Sequence, residues 1–581
     1  MLFIAASLQS PTLGKTMIPI AILSSQVGYD TDAPKKIILR GPKNFIAADA
    51  LVEFIDQKGC VAWRSEPVAW GSVWGSHWWI VDFSALRITG TYIPRIVRAG
   101  TIRLVGDALD IEKHALFSKT AVPCGPGQLS KRKQLAQVRP GWFDAGALWQ
   151  LVGSHCPQIV GMCDVVRLAR HALSTQERND YLAMITDGTT YLSMCRDKAE
   201  QSGFGRGAMV QCLAKIPDKC SPYDSFTAAM TFAMAAELLL NENPSQAQLC
   251  KTNAELCLDW ALTSAKPLVN NSNVFPNQGL PDEHKSPLSW PTRSLMVAMH
   301  AEVILCSLDE KRQPTRLNDL SQRILARQIR LEQAEHGHWG HFYAYDNLSV
   351  AEKSWSHGMP IQDYTQSYEF GSDNGMVFAH PVFCFIEALR RFPHHPMCAQ
   401  WLKAVKDFAN HYFKPMCLKS PFSILPRGYF GESEPLWFAG VWHGCNVSYG
   451  MAAALAMEFE KLTNDPSFRD IAYGNLQWIA GLNAGITREA IQTGCTISTF
   501  EVPEGVALPA SLIQGVGRRT AGCWTNIRGS ICNGFGTGTQ FVYDVPPLVE
   551  HDAPSALHDE DWISHSGGFL MGLARWEART R

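Results

Sequence analysis

Two carboxylates lie in local sequences that suit proton transfer. Glu560 stands in the run His558-Asp559-Glu560-Asp561, and neighbouring carboxylates raise the pKa of such a group, so that it can stay protonated near neutral pH. Asp144 lies between Phe143 and Ala145-Gly146, where there is little local polarity and small residues let a ligand approach the main chain. A protonated acid and an ionised carboxylate are the pair that general acid/base catalysis requires. Taken alone, Glu560 is more typical of a solvated acidic loop, and Asp144 is also compatible with a helix cap.

Further aromatic, histidine and aspartate side chains are concentrated in segments 354–375 and 437–450. Flat aromatic faces suit pyranose rings, although aromatic residues more often fill cores. Asp363 or Asp373 could supply a catalytic base, yet a single His or Asp is more often a structural hydrogen bonder. The segments between the predicted helices are long, and long loops in compact domains are usually functional. The candidate cleft residues are Trp142, Trp355, His357, Asp363, Tyr364, Asp373, Trp442 and His443.

Two basic runs have different expected roles. Arg518 and Arg519 form a guanidinium pair, which suits bidentate binding of a carboxylate or phosphate. The pair therefore favours an acidic sugar as substrate, with a solvent-exposed surface pair as the equal alternative. The Lys-Arg-Lys run at 131–133 we interpret as solvated surface.

The elements that must position these residues change type along the chain. Residues 18–112 contain short β-branched or aromatic runs separated by Gly, Pro, Asp and Asn, which predicts a β-sandwich. Residues 113–140 lack clear periodicity and are interpreted as a linker. After residue 150 the period becomes helical, and about twelve helices, several apolar on nearly every side, predict an (α/α)6 barrel over 141–581. A helical solenoid is the alternative, but no fixed-length repeat occurs. The predicted helices cover 157–172, 178–202, 224–241, 246–265, 290–308, 314–334, 375–391, 397–412, 440–462, 466–482, 486–492 and 565–578.

Several motifs resemble those of the cellulase-type glycosidases of family 9. Gln26, Val27, Gly28, Tyr29, Pro34 and Lys36 match the opening strand of the immunoglobulin-like domain that precedes many catalytic modules of this family. Gly141, Trp142, Asp144, Ala145 and Gly146 match its Gly-Gly-Trp-Tyr-Asp-Ala-Gly-Asp segment. The sequence from His558 to Ala574 resembles the segment before its last barrel helix, and the helix from Asn475 resembles one that ends in Leu-Gly-x-Asn-Pro. The resemblance implies an immunoglobulin-like sandwich followed by an (α/α)6 catalytic barrel.

The resemblance also assigns roles to individual residues. Glu560 takes the position of the general acid, and Asp144 takes that of the aspartate that helps to hold the attacking water. Ala147 replaces the usual catalytic base, so Asp144 is left as the candidate base or water holder. Arg518 and Arg519 lie where the family has a substrate-holding His-His-Arg motif, which this sequence lacks.

These features predict a glycoside hydrolase that cleaves oligosaccharides by acid/base chemistry, with inversion, at a non-standard active site. One alternative is a non-catalytic saccharide-binding protein that retains the cleft but has lost the base. The other is a lyase, in which a Tyr or His takes the proton α to a uronate carboxylate that Arg519 holds. Sugar identity, linkage and endo or exo action stay open.

Composition excludes several classes of partner. The 581 residues carry a net charge of −2, which does not favour nucleic acid, and no apolar run reaches the roughly 20 residues that span a bilayer. The 17 cysteines show no zinc-ligand spacing, so neither a metal nor another cofactor is expected. Their scattered, apolar contexts are typical of reduced thiols, and a poor signal peptide, with Met17 as an alternative start to Met1, favours the cytoplasm over the periplasm or secretion. The oligomeric state is left open.

Overall fold

The computed structural model describes most of both predicted domains. It describes residues 20–73, 76–136, 140–144, 150–213, 220, 222–264, 290, 292–334, 337–342, 382–426, 446–483, 527–531 and 562–580. Among these residues, no helix combines the length and apolar character needed to cross a bilayer.

The first region is a two-sheet β-sandwich, as predicted. One sheet has the strand order β1-β3-β7-β6, and the other has the order β2-β10-β8-β4-β5, with β9 also paired to β8. Val52 and Phe54 of β4 lie opposite Ile96 and Pro94 of β8 and all four point into the core, as the two-residue period of a strand requires. The strands are β1 Ala21–Leu23, β2 Tyr29–Asp30, β3 Lys36–Gly41, β4 Leu51–Ile55, β5 Val61–Ser65, β6 Val68–Val73, β7 Ser76–Asp82, β8 Gly90–Arg98, β9 Thr101–Val105 and β10 Leu109–Glu112.

The second region is the predicted helical barrel. Its helices alternate between an outer and an inner ring, and the inner ones are buried at nearly every position. The helix predicted over 314–334 ends at Leu325, and a short 3₁₀ turn follows at Leu331–Gln333; the helix predicted over 486–492 lies outside the described residues. The helices are α1 Ala115–Val122, α2 Gln128–Ala136, α3 Val152–Leu168, α4 Thr175–Gln201, α5 Pro222–Leu239, α6 Pro244–Thr263, α7 Thr292–Leu308, α8 Thr315–Leu325, α9 Phe383–Arg391, α10 Cys398–Phe408, α11 Lys414–Cys417, α12 Asn446–Thr463, α13 Ser467–Ile479 and α14 Ile563–Ala578.

Close helix packing fixes the inner ring around α14, which lies between α3 and α12. A Cβ atom added at Gly161 of α3 would lie 2.3 Å from the carbonyl oxygen of Gly567, and one added at Gly450 of α12 would lie 2.3 Å from that of Gly568. Only glycine permits such backbone approach. Near the start of α14, Gly567 contacts Pro157 and Gly161 of α3, whereas Arg575, near the end of α14, bonds to Asp164, which lies further along α3. The two helices therefore run parallel, and their N-termini lie at the same end of the barrel.

The segment interpreted as a linker, 113–140, joins the two regions but is largely helical. It contains α1 and α2, connected by a π-helical turn at Pro123–Gly127. The interpretation of residues 131–133 as solvated surface is wrong for Arg132, whose side chain is fully buried. The described part of the segment therefore packs against the barrel helices α4 and α14.

The sandwich docks on the outer helix α13 through the motif Gln26–Tyr29 and its neighbours. The Gln26 N–H donates to the Ala480 carbonyl at 2.8 Å, and the Gln477 amide donates to the Gly28 carbonyl at 3.0 Å. Lys36 Nζ donates to the Pro421 carbonyl at 3.0 Å. The outer helix α13, to which the sandwich is bonded, is buried along most of its length.

Candidate active site

Two of the predicted site residues are described, Asp144 and Trp142. Both lie in the short segment that leads to α3. The following predicted site residues lie outside the described residues: Glu560, Trp355, His357, Asp363, Tyr364, Asp373, Trp442, His443, Arg518 and Arg519.

Asp144 is a buried carboxylate, 1% exposed, at the N-terminal end of the inner helices. Its Oδ2 accepts a hydrogen bond from the Leu151 N–H at 3.3 Å, and Ser154 also bonds to the carboxylate. Its main-chain carbonyl accepts from the Ile563 N–H at 3.0 Å. The other carboxylate oxygen, Oδ1, has no hydrogen-bond partner among the described residues. A buried acceptor of this kind is where a water or a substrate hydroxyl can bind.

The pKa of Asp144 is raised to about 6, mainly because burial penalises the charged form. Hydrogen bonds from Ser154 and the Leu151 main chain, together with the positive charge of Arg132, offset part of this effect. Leu151 is the N-cap residue of α3, and the positive end of the helix dipole also favours an anion there. A carboxylate that titrates close to neutral pH is suited to serve as a general base.

Helices α3 and α14 position Asp144 from two sides. Asp144 precedes α3 and is bonded through its carbonyl to the first residue of α14. Backbone contacts of Gly567 with Pro157 and Gly161 hold the two helices together further along. Since Glu560 is three residues before Ile563 in the sequence, the two predicted catalytic carboxylates belong to segments that this hydrogen bond joins.

Trp142 lies in a ring stack that supports the Asp144 segment. Its indole stacks on His155 with centroids 4.9 Å apart, and His155 stacks on Tyr191 at 4.5 Å. Burial lowers the pKa of His155 to about 4. The neutral ring therefore donates from Nδ1 to the Leu151 carbonyl at 2.8 Å, and its Nε2 accepts from the main-chain N–H of Trp142 at 3.4 Å. Trp142 is fully buried, a position that favours a packing role over the predicted contact with substrate.

Three charged residues that were not predicted as site residues hold the same segment. The Gly141 N–H donates to Asp187 Oδ2 at 3.0 Å, and Lys133 pairs with Asp187. Arg132 Nη1 donates to the Phe143 carbonyl at 3.5 Å. The basic run at 131–133 was visible in the sequence, but its burial could be inferred only from the path of α2 between the two regions.

The described residues contain no group of three or more His, Cys, Asp or Glu side chains arranged to hold a metal ion. Cys250 and Cys257 are buried and Cys306 is partly buried, and burial raises the pKa of each thiol to about 12. Such thiols are poor nucleophiles. Asp144, in contrast, has a pKa of about 6 and can exchange a proton near neutral pH.

The fold is that of the family 9 endoglucanases, although comparison by sequence finds no matching protein-family model and no matching curated protein. A metagenome-derived glycoside hydrolase family 9 endoglucanase is similar with a TM-score of 0.63 and 14% identity, over 96% of this chain and 99% of that chain. A family 9 protein of Bacteroides ovatus is similar with a TM-score of 0.61 and 14% identity, over 97% and 99%. A single mutant of a thermostable endoglucanase from Alicyclobacillus acidocaldarius has a TM-score of 0.58 and 12% identity, over 96% and 100%. The similarity thus extends over both the sandwich and the barrel.

Proposed function

We propose that the chain is a glycoside hydrolase that cleaves oligosaccharides by general acid/base catalysis with inversion. Asp144 acts as the base that activates water, and Glu560 acts as the acid that protonates the leaving oxygen. The observation that carries the proposal is the buried Asp144 carboxylate, which has a pKa of about 6 and one oxygen without a partner among the described residues. The fold shared with endoglucanases supports a saccharide as substrate.

The connection between Asp144 and α14 supports the pairing of the two carboxylates. Inverting glycosidases need carboxyl groups about 6.5–9.5 Å apart, which leaves room for a water molecule. The Ile563 N–H is bonded to the Asp144 carbonyl. Because consecutive Cα atoms are about 3.8 Å apart, the three residues back to Glu560 can span at most about 11 Å. The proposed pair is compatible with that limit.

One sequence feature favours a second candidate function, saccharide binding without turnover. Ala147 stands where the resemblance to family 9 places the usual base. In the leading proposal Asp144 takes over that role alone, whereas in the second it only orders a water in a cleft that binds sugar. The Arg518-Arg519 pair adds the proposal that the sugar carries a carboxylate.

The test incubates the purified chain with neutral and uronate-containing oligosaccharides and follows the products by proton NMR. We expect hydrolysis with an inverted anomeric centre. Asp144→Asn and Glu560→Gln should each lower kcat/KM by about 10²- to 10⁴-fold without a loss of fold. Asp319→Asn, which removes an exposed carboxylate paired with Arg323, is the matched control and should leave the rate unchanged.

Each other result has a defined meaning. Oligosaccharide binding without product favours the binding protein, and an unsaturated product that absorbs in the ultraviolet would replace hydrolysis by elimination. Full activity in either catalytic-carboxylate variant would rule out the assignment of that residue.

A further inference from the structure

Arg132 of α2 is a fully buried cation next to the Asp144 segment. Its Nη1 donates to the carbonyl of Phe143, the residue before Asp144, at 3.5 Å. Its Nη2 donates to Ser530 Oγ at 3.1 Å, and its Nε donates to Gln128 Oε1 at 3.3 Å. The guanidinium thus joins three separate parts of the chain.

The same helix is bonded to the other elements of the site. The Gln128 amide donates to Ser566 Oγ at 2.7 Å, in the first turn of α14. Lys133 pairs with Asp187, which in turn accepts the Gly141 N–H. Helix α2 therefore fixes both ends of the Gly141–Asp144 segment as well as the start of α14.

A buried arginine is costly unless it serves nearby carbonyls and anions. Neutral side chains could join these three parts of the chain at a lower desolvation cost. What a neutral side chain cannot supply is positive charge, and the charge of Arg132 acts on the Asp144 carboxylate against the effect of burial. Position and charge together point to a role in the chemistry of Asp144.

We propose that Arg132 is a positioning residue of the active site, which holds the main chain at Phe143 and keeps the Asp144 carboxylate ionised. The catalytic consequence rests on the proposed function, whereas the effect on the ionisation of Asp144 does not. The segment between the two domains, through Arg132 of α2, thus contributes to the active site.

The experiment measures the ionisation of Asp144 through stability, which needs no substrate. Thermal midpoints are recorded from pH 4 to pH 8 with and without Asp144→Asn, and the difference between them gives the pH at which Asp144 titrates. We expect Arg132→Met to move that pH upward, because the variant removes a positive charge that favours the ionised form of Asp144. Arg132→Lys keeps the positive charge but loses the planar guanidinium group. It should leave the pH at which Asp144 titrates within a few tenths of a unit of its original value.

A matched control separates the charge from the tether. Asp187→Asn weakens the other attachment of the same segment, at Gly141, and should lower the thermal midpoint without moving the titration of Asp144. If Arg132→Met does not fold, Arg132→Gln removes the same charge and can keep a hydrogen bond to the Phe143 carbonyl. An unmoved titration in whichever of these two variants folds would overturn the proposal, because a purely structural arginine would produce that result.

Activity then distinguishes the two proposals. If the chain hydrolyses oligosaccharides, the acidic limb of its pH–rate profile should move with the titration in Arg132→Met. A shifted titration without activity on any saccharide would leave the role of Arg132 standing and remove the proposed function. Activity with an unshifted titration would leave the proposed function standing and remove the role of Arg132.

Discussion

Asp144 and Asp164 lie at opposite ends of the first inner helix, and both are buried carboxylates. Burial alone would raise the pKa of Asp164, but Arg575 and Arg167 outweigh it and hold that pKa below its ordinary value. Burial of Asp144 is offset only in part, and its pKa rises to about 6. The two carboxylates are equally buried, yet the pKa of Asp164 is lowered and that of Asp144 is raised. The reason is that, of the two, only Asp164 is in direct contact with cations.

The Asp164 end of the barrel carries a connected network of ion pairs, here called the floor network, near the C-termini of the inner helices. Arg575 of α14 bonds to Asp164 of α3 at 2.6 Å and to Glu458 of α12 at 2.9 Å. In the rest of the network, arginine and carboxylate side chains likewise form ion pairs, both within one helix and between helices. They are Arg167, Glu237, Glu387, Arg390 and Arg391, with Ser307 of α7 accepting from Arg391.

The difference between the two ends separates stability from chemistry. In the floor network, neighbouring arginines hold the pKa of Asp164 and that of Glu387 below their ordinary values, so these two carboxylates hold the helices together as anions and do not exchange a proton near neutral pH. At the opposite end, Asp144 can exchange a proton near neutral pH, because nearby positive charge and hydrogen bonds offset only part of the effect of burial on its pKa.

The largest expected effect comes from breaking the floor network at its centre. Arg575→Met leaves Asp164 and Glu458 buried without their shared cation, and removing one partner of a buried pair costs about 3–5 kcal/mol. Urea denaturation at pH 7 measures the loss in the free energy of unfolding.

Arg323→Met is the matched control for Arg575→Met. Arg323 pairs with Asp319 on the surface, and exposed pairs of this kind contribute about 0–1 kcal/mol. Losses of similar size in the two variants would contradict the distinction between the floor network and surface pairs.

The next effect concerns the pH dependence of Asp164. Its folded-state pKa is lowered, so its ion pairs stabilise the fold above the unfolded pKa of about 4, and that stability is lost as pH falls through the lower folded pKa. Asp164→Asn should therefore cost about 2–4 kcal/mol at pH 7 and progressively less below pH 4. Denaturation curves of the unsubstituted chain and of Asp164→Asn at pH 7, 5 and 3 measure the difference in their free energies of unfolding. A cost that stays constant over this range would mean that ionisation of Asp164 contributes nothing.

The order of the elements could be predicted from sequence because it depends on local period. Each predicted helix that falls on described residues corresponds to an observed one, usually within a few residues. The runs IPIAIL, KKIILR, LVEFID, HWWIVDF, TYIPRIV and TIRLV predict strands that correspond to β1, β3, β4, β7, β8 and β9. The strands that were not predicted, β2, β5, β6 and β10, are short or exposed or contain charged residues. Their alternating pattern is weak, and neighbouring strands rather than propensity bring them into the sheets.

The candidate site was less predictable, because it depends on contacts between distant segments. Asp144 was found through its motif, but its burial comes from α3, α14 and the stack of Trp142 on His155. Arg132 was misinterpreted because a basic run is usually solvated, and only the position of α2 buries it. Local sequence identified the carboxylate, whereas tertiary packing determines its pKa.

The smallest expected effect has the opposite sign. The unfolded pKa of an aspartate is about 3.9 and the folded pKa of Asp144 is about 6, so between these values the native state holds a proton that the unfolded state has lost. The contribution of Asp144 to stability therefore falls as pH rises from 4 to 6 and stays low above that range. Asp144→Asn keeps an acceptor for the Leu151 N–H and avoids the buried charge, so it should raise the free energy of unfolding by about 2–3 kcal/mol at pH 7, and by little at pH 4. Urea denaturation at the two pH values measures both quantities. A loss of stability at pH 7 would mean that the carboxylate is compensated after all, and the contrast between the two ends of the barrel would disappear.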